Sequence, residues 1–114
     1  MLSEKFIEDI TKYIESRIDS AEMIIDQKKE SMEILKTEVK GNMLKVFLNA
    51  SSGKGHVSDI NILDEKKQIL ISKPDSILKT TGYGLVVAFY IRLQEVEVDD
   101  PINIFDLVKE NVNE

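Results

Sequence analysis

The chain has 114 residues, a formal net charge of −6, 42% hydrophobic and 32% charged residues, and no cysteine. This is ordinary globular composition for one domain, too short for two independent cores and too apolar for disorder. It excludes a disulfide framework and a cysteine-ligated zinc site, and it argues against nucleic acid as a partner, because the lysines are scattered among carboxylates rather than gathered in a basic patch.

The opening MLSEKFIEDI is acidic and amphipathic, which is not the makeup of a signal peptide. Residues 3–18 read as a helix. Phe6, Ile10, Tyr13, Ile14 and Ile18 recur at spacings of three and four and lay down one apolar stripe. Ser3 can cap the start, and Glu4, Glu8 and Asp9 suit the positive end of the helix dipole. The polar face carries Glu4, Glu8, Asp9 and Glu15 instead of the lysines and arginines of a membrane-surface helix. The stripe is therefore expected to pack on the protein's own sheet.

From Ala21 the period changes to two. Residues 21–26 predict a short strand, 27–30 a polar turn, and 32–40 a strand whose parity slips between Ile34 and Leu35, the mark of a bulge. Gly41-Asn42 is a two-residue hairpin turn, since both residues tolerate positive φ. Residues 43–50 follow as a strand with Leu44, Val46, Leu48 and Ala50 on one face. After the connection ASSGKGHVSD, residues 57–63 and 68–72 predict a second hairpin, with Lys73-Pro74-Asp75 ending its second strand because proline cannot donate to a ladder. The last strand lies in LVVAFYIRL. Its longest apolar run, residues 85–91, has strand length and falls far short of the ~20 residues that span a bilayer. A strand with one wet face alternates apolar with polar, yet this one is apolar on both sides until Arg92. Something is expected to cover the second face, the N-terminal helix being the natural cover and the closing segment another. Asp99-Asp100-Pro101 reads as a helix start, and Ile102, Phe105, Val108 and Val112 make a short stripe beyond it. The expected organisation is a helix and β-sandwich domain over 1–97 and a C-terminal helical tail over 98–114, with no internal repeat.

Chemistry is tested most directly in residues 50–59, where Gly53-Lys54-Gly55 and the only histidine, His56, meet. A phosphate loop needs a first glycine where Leu48 stands, a Ser or Thr where Gly55 stands, and a helix where a strand follows. A triad of His56 with Ser51 or Ser58 and Asp59 would need sequence neighbours in extended chain to converge, and no nucleophile elbow is present. One histidine without cysteines cannot furnish a zinc site. Glu95, Glu97, Asp99 and Asp100 could meet calcium, but no glycine-bearing loop wraps them, and a solvated sheet edge explains them better. Residues 50–57 are read as a loop whose Lys54 and His56 can touch a partner. Tyr83, in the connection 80–84, is the only aromatic in these loops and the natural place for a sugar to stack.

The helix FIEDITKYIESRI, the strand pattern after it and VSDINILDEKKQILIS together resemble a group of small proteins encoded among the tail genes of phages and prophages of Gram-positive bacteria. Phe6, Asp9, Ile10, Tyr13, Ile14 and Arg17 carry the helix signature, and Ile60, Ile62, Leu63 and Asp64 the fourth strand. The match runs over residues 1–97. The family's hairpin after the aspartate usually contains glycine, whereas Glu65, Lys66 and Lys67 follow Asp64 here, and the tail is an addition. The resemblance implies a mainly β fold, a small immunoglobulin-like antiparallel β-sandwich with an N-terminal amphipathic helix. It implies a non-enzymatic structural protein of a phage tail, baseplate, virion or tailocin, assembled in the bacterial cytoplasm. The expected partners are other tail or baseplate subunits and copies of itself, without cofactor, metal, nucleic acid or membrane insertion. Ile102, Phe105, Val108 and Val112 are the expected docking residues, beside Lys54, His56 and Tyr83. The alternative is a carbohydrate- or ligand-binding adsorption module.

Overall fold

The computed structural model describes residues 1–80 and 84–98. They form one helix, α1 (Glu4–Arg17), and the strands β1 (Ser20–Ile25), β2 (Lys28–Lys40), β3 (Met43–Ala50), β4 (Gly55–Leu63), β5 (Ile69–Lys79) and β6 (Leu85–Arg92). All pairings are antiparallel, and the strands make one sheet in the order β5-β4-β1-β2-β3-β6. The sheet curls until it is nearly barrel-shaped: β5 and β6 are its two ends, yet the Lys73 ammonium of β5 lies 5.7 Å from the Phe89 ring of β6.

The corner is built into β2. Residues 28–32 pair with β1 and residues 33–40 with β3, and the register slips at Leu35, between Ile34 and Lys36. The extra residue bends the strand and increases its twist, so a single strand serves both halves of the sheet. The mainly β fold with an N-terminal helix is as the sequence predicts. The immunoglobulin-like sandwich is not confirmed, because the strands form one continuous sheet. The expected C-terminal helix lies outside the described residues.

The concave face holds the core. Met23, Val46, Leu48, Val57, Ile60 and Ile62 are fully buried there. The helix begins at the expected cap, where the Phe6 N–H donates to the Ser3 hydroxyl at 3.1 Å. Its seating differs from the expected stripe. Thr11 is buried, and Ile14 and Ile18 pack on the core, while Phe6 and Tyr13 stay 51% and 60% exposed. The inward line is Ile7, Ile10, Thr11, Ile14 and Ile18, a stripe that a threonine interrupts. Thr11 is tolerated inside because its hydroxyl donates to the Ile7 carbonyl at 2.8 Å.

Two polar contacts fix the helix on the sheet. The Thr37 hydroxyl donates to Glu15 at 2.8 Å, and Arg17 pairs with Asp64 at 3.3 Å. Asp64 is buried at the end of β4, where its carboxylate accepts the Lys66 and Gln68 N–H groups, each at 2.9 Å. The Gln68 amide, with the Lys66 amide and the Arg17 guanidinium, holds its carboxyl below the ordinary aspartate range. The end of α1 and the end of β4 thus meet through Arg17 and Asp64.

Two element boundaries are corrected. The β1–β2 turn is the two residues Asp26 and Gln27, both at positive φ, and β2 starts at Lys28 instead of after residue 30. β5 does not stop at Pro74 but runs through it, opposite Asp59, to Lys79. An edge strand has one side free of ladder bonds, and the register on β4 slips between Val57 and Asp59, so the missing N–H is accommodated.

Candidate functional site

The expectation that α1 covers the second face of the last strand is not met. The helix sits on the concave side, and on the convex side Val86 is 63% and Tyr90 64% exposed. The register defines what surrounds them. Across β2, β3 and β6 the outward rows read Lys40–Met43–Arg92, Glu38–Lys45–Tyr90, Lys36–Phe47–Ala88 and Glu33–Asn49–Val86. Leu35, pushed out by the bulge, adds a further exposed apolar side chain at 49%. An apolar group of Leu35, Met43, Phe47, Val86, Ala88 and Tyr90 is therefore interleaved with Lys36, Lys40, Lys45 and Arg92.

The centre of this face is pre-arranged. The Phe47 and Tyr90 rings meet edge to face, with centroids 6.4 Å apart and planes at 75°. The Lys36 ammonium stands 5.3 Å from the Phe47 ring and the Lys45 ammonium 5.6 Å from the Tyr90 ring. Cations over aromatic rings on an exposed sheet face offer both apolar area and positive charge, the chemistry of a docking surface for an acidic, apolar partner. The cause is visible in the sequence as a strand apolar on both sides, which by itself suits intramolecular cover equally well. Phe47, Lys36 and Lys45 carry no sequence signal of their own, because only the register brings them beside Tyr90.

The second candidate region lies at the loop end of the sheet. His56 falls inside β4, not in the preceding loop. Its ring shares a 2.9 Å hydrogen bond with the Ser76 hydroxyl on β5. Ser51, Ser58 and Asp59 are not its partners among the described hydrogen bonds. A serine–histidine pair needs a group to orient the ring and donors for an oxyanion before it resembles a nucleophile, and the contacts described here supply neither. The His56 backbone is structural: its N–H donates to Asp26 at 3.0 Å, and its carbonyl accepts the Asp26 N–H at 3.0 Å. This clamp explains Gly55, which sits at φ +134 where a Cβ would strike the Asp26 carboxylate. The Gly53 carbonyl accepts the ammonium of the buried Lys79 at 2.7 Å. Lys54 is exposed. Tyr83, Ile102, Phe105, Val108 and Val112 lie outside the described residues.

Glu95 accepts the Leu2 N–H at 3.0 Å, which ties the chain after β6 to the start of α1. Among the described residues no group of three or more His, Asp or Glu side chains is placed to hold a metal. The one helix among the described residues is not long and apolar enough to cross a membrane. A cleft of about 380 Å³ opens between the two sheet ends, lined by Ile71 and Lys73 of β5 and by Ala88, Phe89, Tyr90 and Ile91 of β6. The convex face of β2, β3 and β6 combines exposed apolar side chains with cations held over aromatic rings. Comparison with known proteins adds no relative to this geometry, since no family model, no curated protein and no solved structure matches the chain.

Proposed function

We propose that this protein is a non-enzymatic assembly subunit of a phage tail, baseplate or phage-tail-like particle, acting through protein–protein contacts on the convex face of β2, β3 and β6. The observation that carries the contact surface is the pairing of exposed Tyr90 with half-buried Phe47 under Lys36 and Lys45. A large exposed aromatic beside cations, on strands whose other face forms the core, is costly to leave in water and suits a desolvated interface. The particle itself is suggested by the resemblance of α1 and β4 to small tail-region proteins. On that reading the two halves of the curled sheet correspond to the layers of an immunoglobulin-like sandwich joined through β2. The test is incorporation. Tyr90→Ser in the full chain should fold normally and fail to co-sediment with particles assembled in its native host. Normal incorporation of that variant would sink the proposed surface, and absence of the wild-type protein from any particle would sink the particle.

A second reading, an adsorption module that binds cell-wall carbohydrate, is favoured by one feature: Tyr90 and Lys73 border the 380 Å³ cleft, giving an aromatic and a polar group side by side. Binding of purified cell-wall polysaccharide by the isolated protein, lost in Tyr90→Ser, would promote it over the first.

A further inference from the structure

The charge of this chain is segregated. Residues 95–114 hold seven carboxylates against the single Lys109, a net of −6, while the 14 acidic and 14 basic residues of 1–94 cancel. The folded body is thus neutral overall, and the whole formal charge sits in the last 20 residues. Within the neutral body, the convex face of β2, β3 and β6 is locally cationic. Its outward rows carry Lys36, Lys40, Lys45 and Arg92 against Glu33 and Glu38, and Glu38 is already within 3.7 Å of Lys36.

The two regions are chemical complements. Residues 99–114 alternate carboxylates with Ile102, Phe105, Val108 and Val112. The face sets Lys36 and Lys45 beside Phe47 and Tyr90, with Val86 exposed further along β6. We infer that the convex face is the receptor for residues 99–114 of a second copy of this chain. This rests on the reading of that face as a contact surface and specifies its occupant. A second copy is favoured over the chain's own tail by the exit path. The Leu93 N–H donates to the Asn42 carbonyl at 2.9 Å and Glu95 takes the Leu2 N–H at 3.0 Å. Leu93, Gln94 and Glu95 line a hollow with Leu2, Ile7 and Ile10 of the helix region. The chain therefore leaves the sheet on the helix side, away from the convex face.

Each copy then offers one face and one tail. Such a contact is heterologous and repeats from copy to copy until it closes a ring or grows a filament, the geometry of stacked or ring-shaped particles. Opposite charges speed the encounter and select the tail, and the apolar residues hold it.

The test uses full-length protein in sedimentation velocity over a range of concentration and salt. Wild-type protein should associate reversibly beyond a dimer, more weakly as salt rises. The face variant Lys45→Glu and the tail variant Phe105→Ser, each checked for unchanged thermal unfolding, should each weaken association about tenfold or more. Mixed together, they should form a one-to-one dimer and nothing larger, since the intact tail of one meets the intact face of the other. A monomeric wild-type protein, a Phe105→Ser variant that associates normally, or a mixture that stays monomeric would each overturn the inference. Loss of particle incorporation in Tyr90→Ser with normal association of Phe105→Ser would leave the contact surface standing and remove only the tail as its occupant.

Discussion

The two faces of β3 and β6 carry similar side chains and serve different ends. On the concave side Leu44, Val46, Leu48 and Ala50 face Val87 and Phe89, and all are buried. On the convex side Met43, Phe47, Val86, Ala88 and Tyr90 are nearly as apolar, yet Val86 and Tyr90 are more than half exposed. Apolar character alone therefore does not decide burial. Curvature does: the sheet closes over its concave face, α1 plugs that side, and no second layer among the described residues covers the other. The difference separates residues that hold the fold from residues available to a partner.

Substitutions should fall on either side of that division. Leu48→Ala removes a fully buried side chain at the centre of the concave face and should cost about 2–5 kcal/mol in chemical denaturation. A loss much below 1 kcal/mol would mean that this face is not the core. Gly55→Ala should cost about 1–3 kcal/mol, since it combines a backbone at φ +134 with a clash against Asp26. Its companion Gly41→Ala, with open space around the position and φ +59, should cost less, so a reversed order would refute the clamp between the Asp26 turn and β4.

Asp64 gives a pH-dependent test. Its carboxyl lies below the ordinary range in the folded protein, held there chiefly by the Gln68 amide and then by the Lys66 amide and Arg17. The unfolded chain therefore binds the proton more readily, and stability rises with pH across the interval between the two values. The contribution is complete above the ordinary aspartate range and fades as pH falls through the depressed one. Asp64→Asn should be less stable than wild type at neutral pH, with the gap closing on the acid side in thermal melts. A gap that is constant with pH would assign the loss to packing alone. A small effect is expected on the convex face, where Tyr90→Ser gives up the contacts with Phe47 and Lys45 and should cost about 1 kcal/mol while abolishing association.

Much of the fold was legible because local rules suffice for it. Ser3 caps α1 where a serine ahead of an acidic turn should, Gly41-Asn42 makes its hairpin, and the parity slip at Leu35 marks the bulge. Where local rules misled, a tertiary circumstance intervened. Pro74 does not end β5, because the strand lies at the sheet edge. Phe6 and Tyr13 do not face the core, because a threonine with a satisfied hydroxyl occupies the inward position between Ile7 and Ile14. His56 meets Ser76, 20 residues away, and not its sequence neighbours.

Most of the elements, the alternation of the strands and the double-sided apolarity of the last one are written in side chains a few positions apart. Which side of that strand is covered is settled by long-range packing. That choice depends on the direction in which the sheet curls and the side on which α1 docks, and these arise from the twist of the whole sheet and from pairings such as Lys45 with Tyr90, which no short-range pattern encodes.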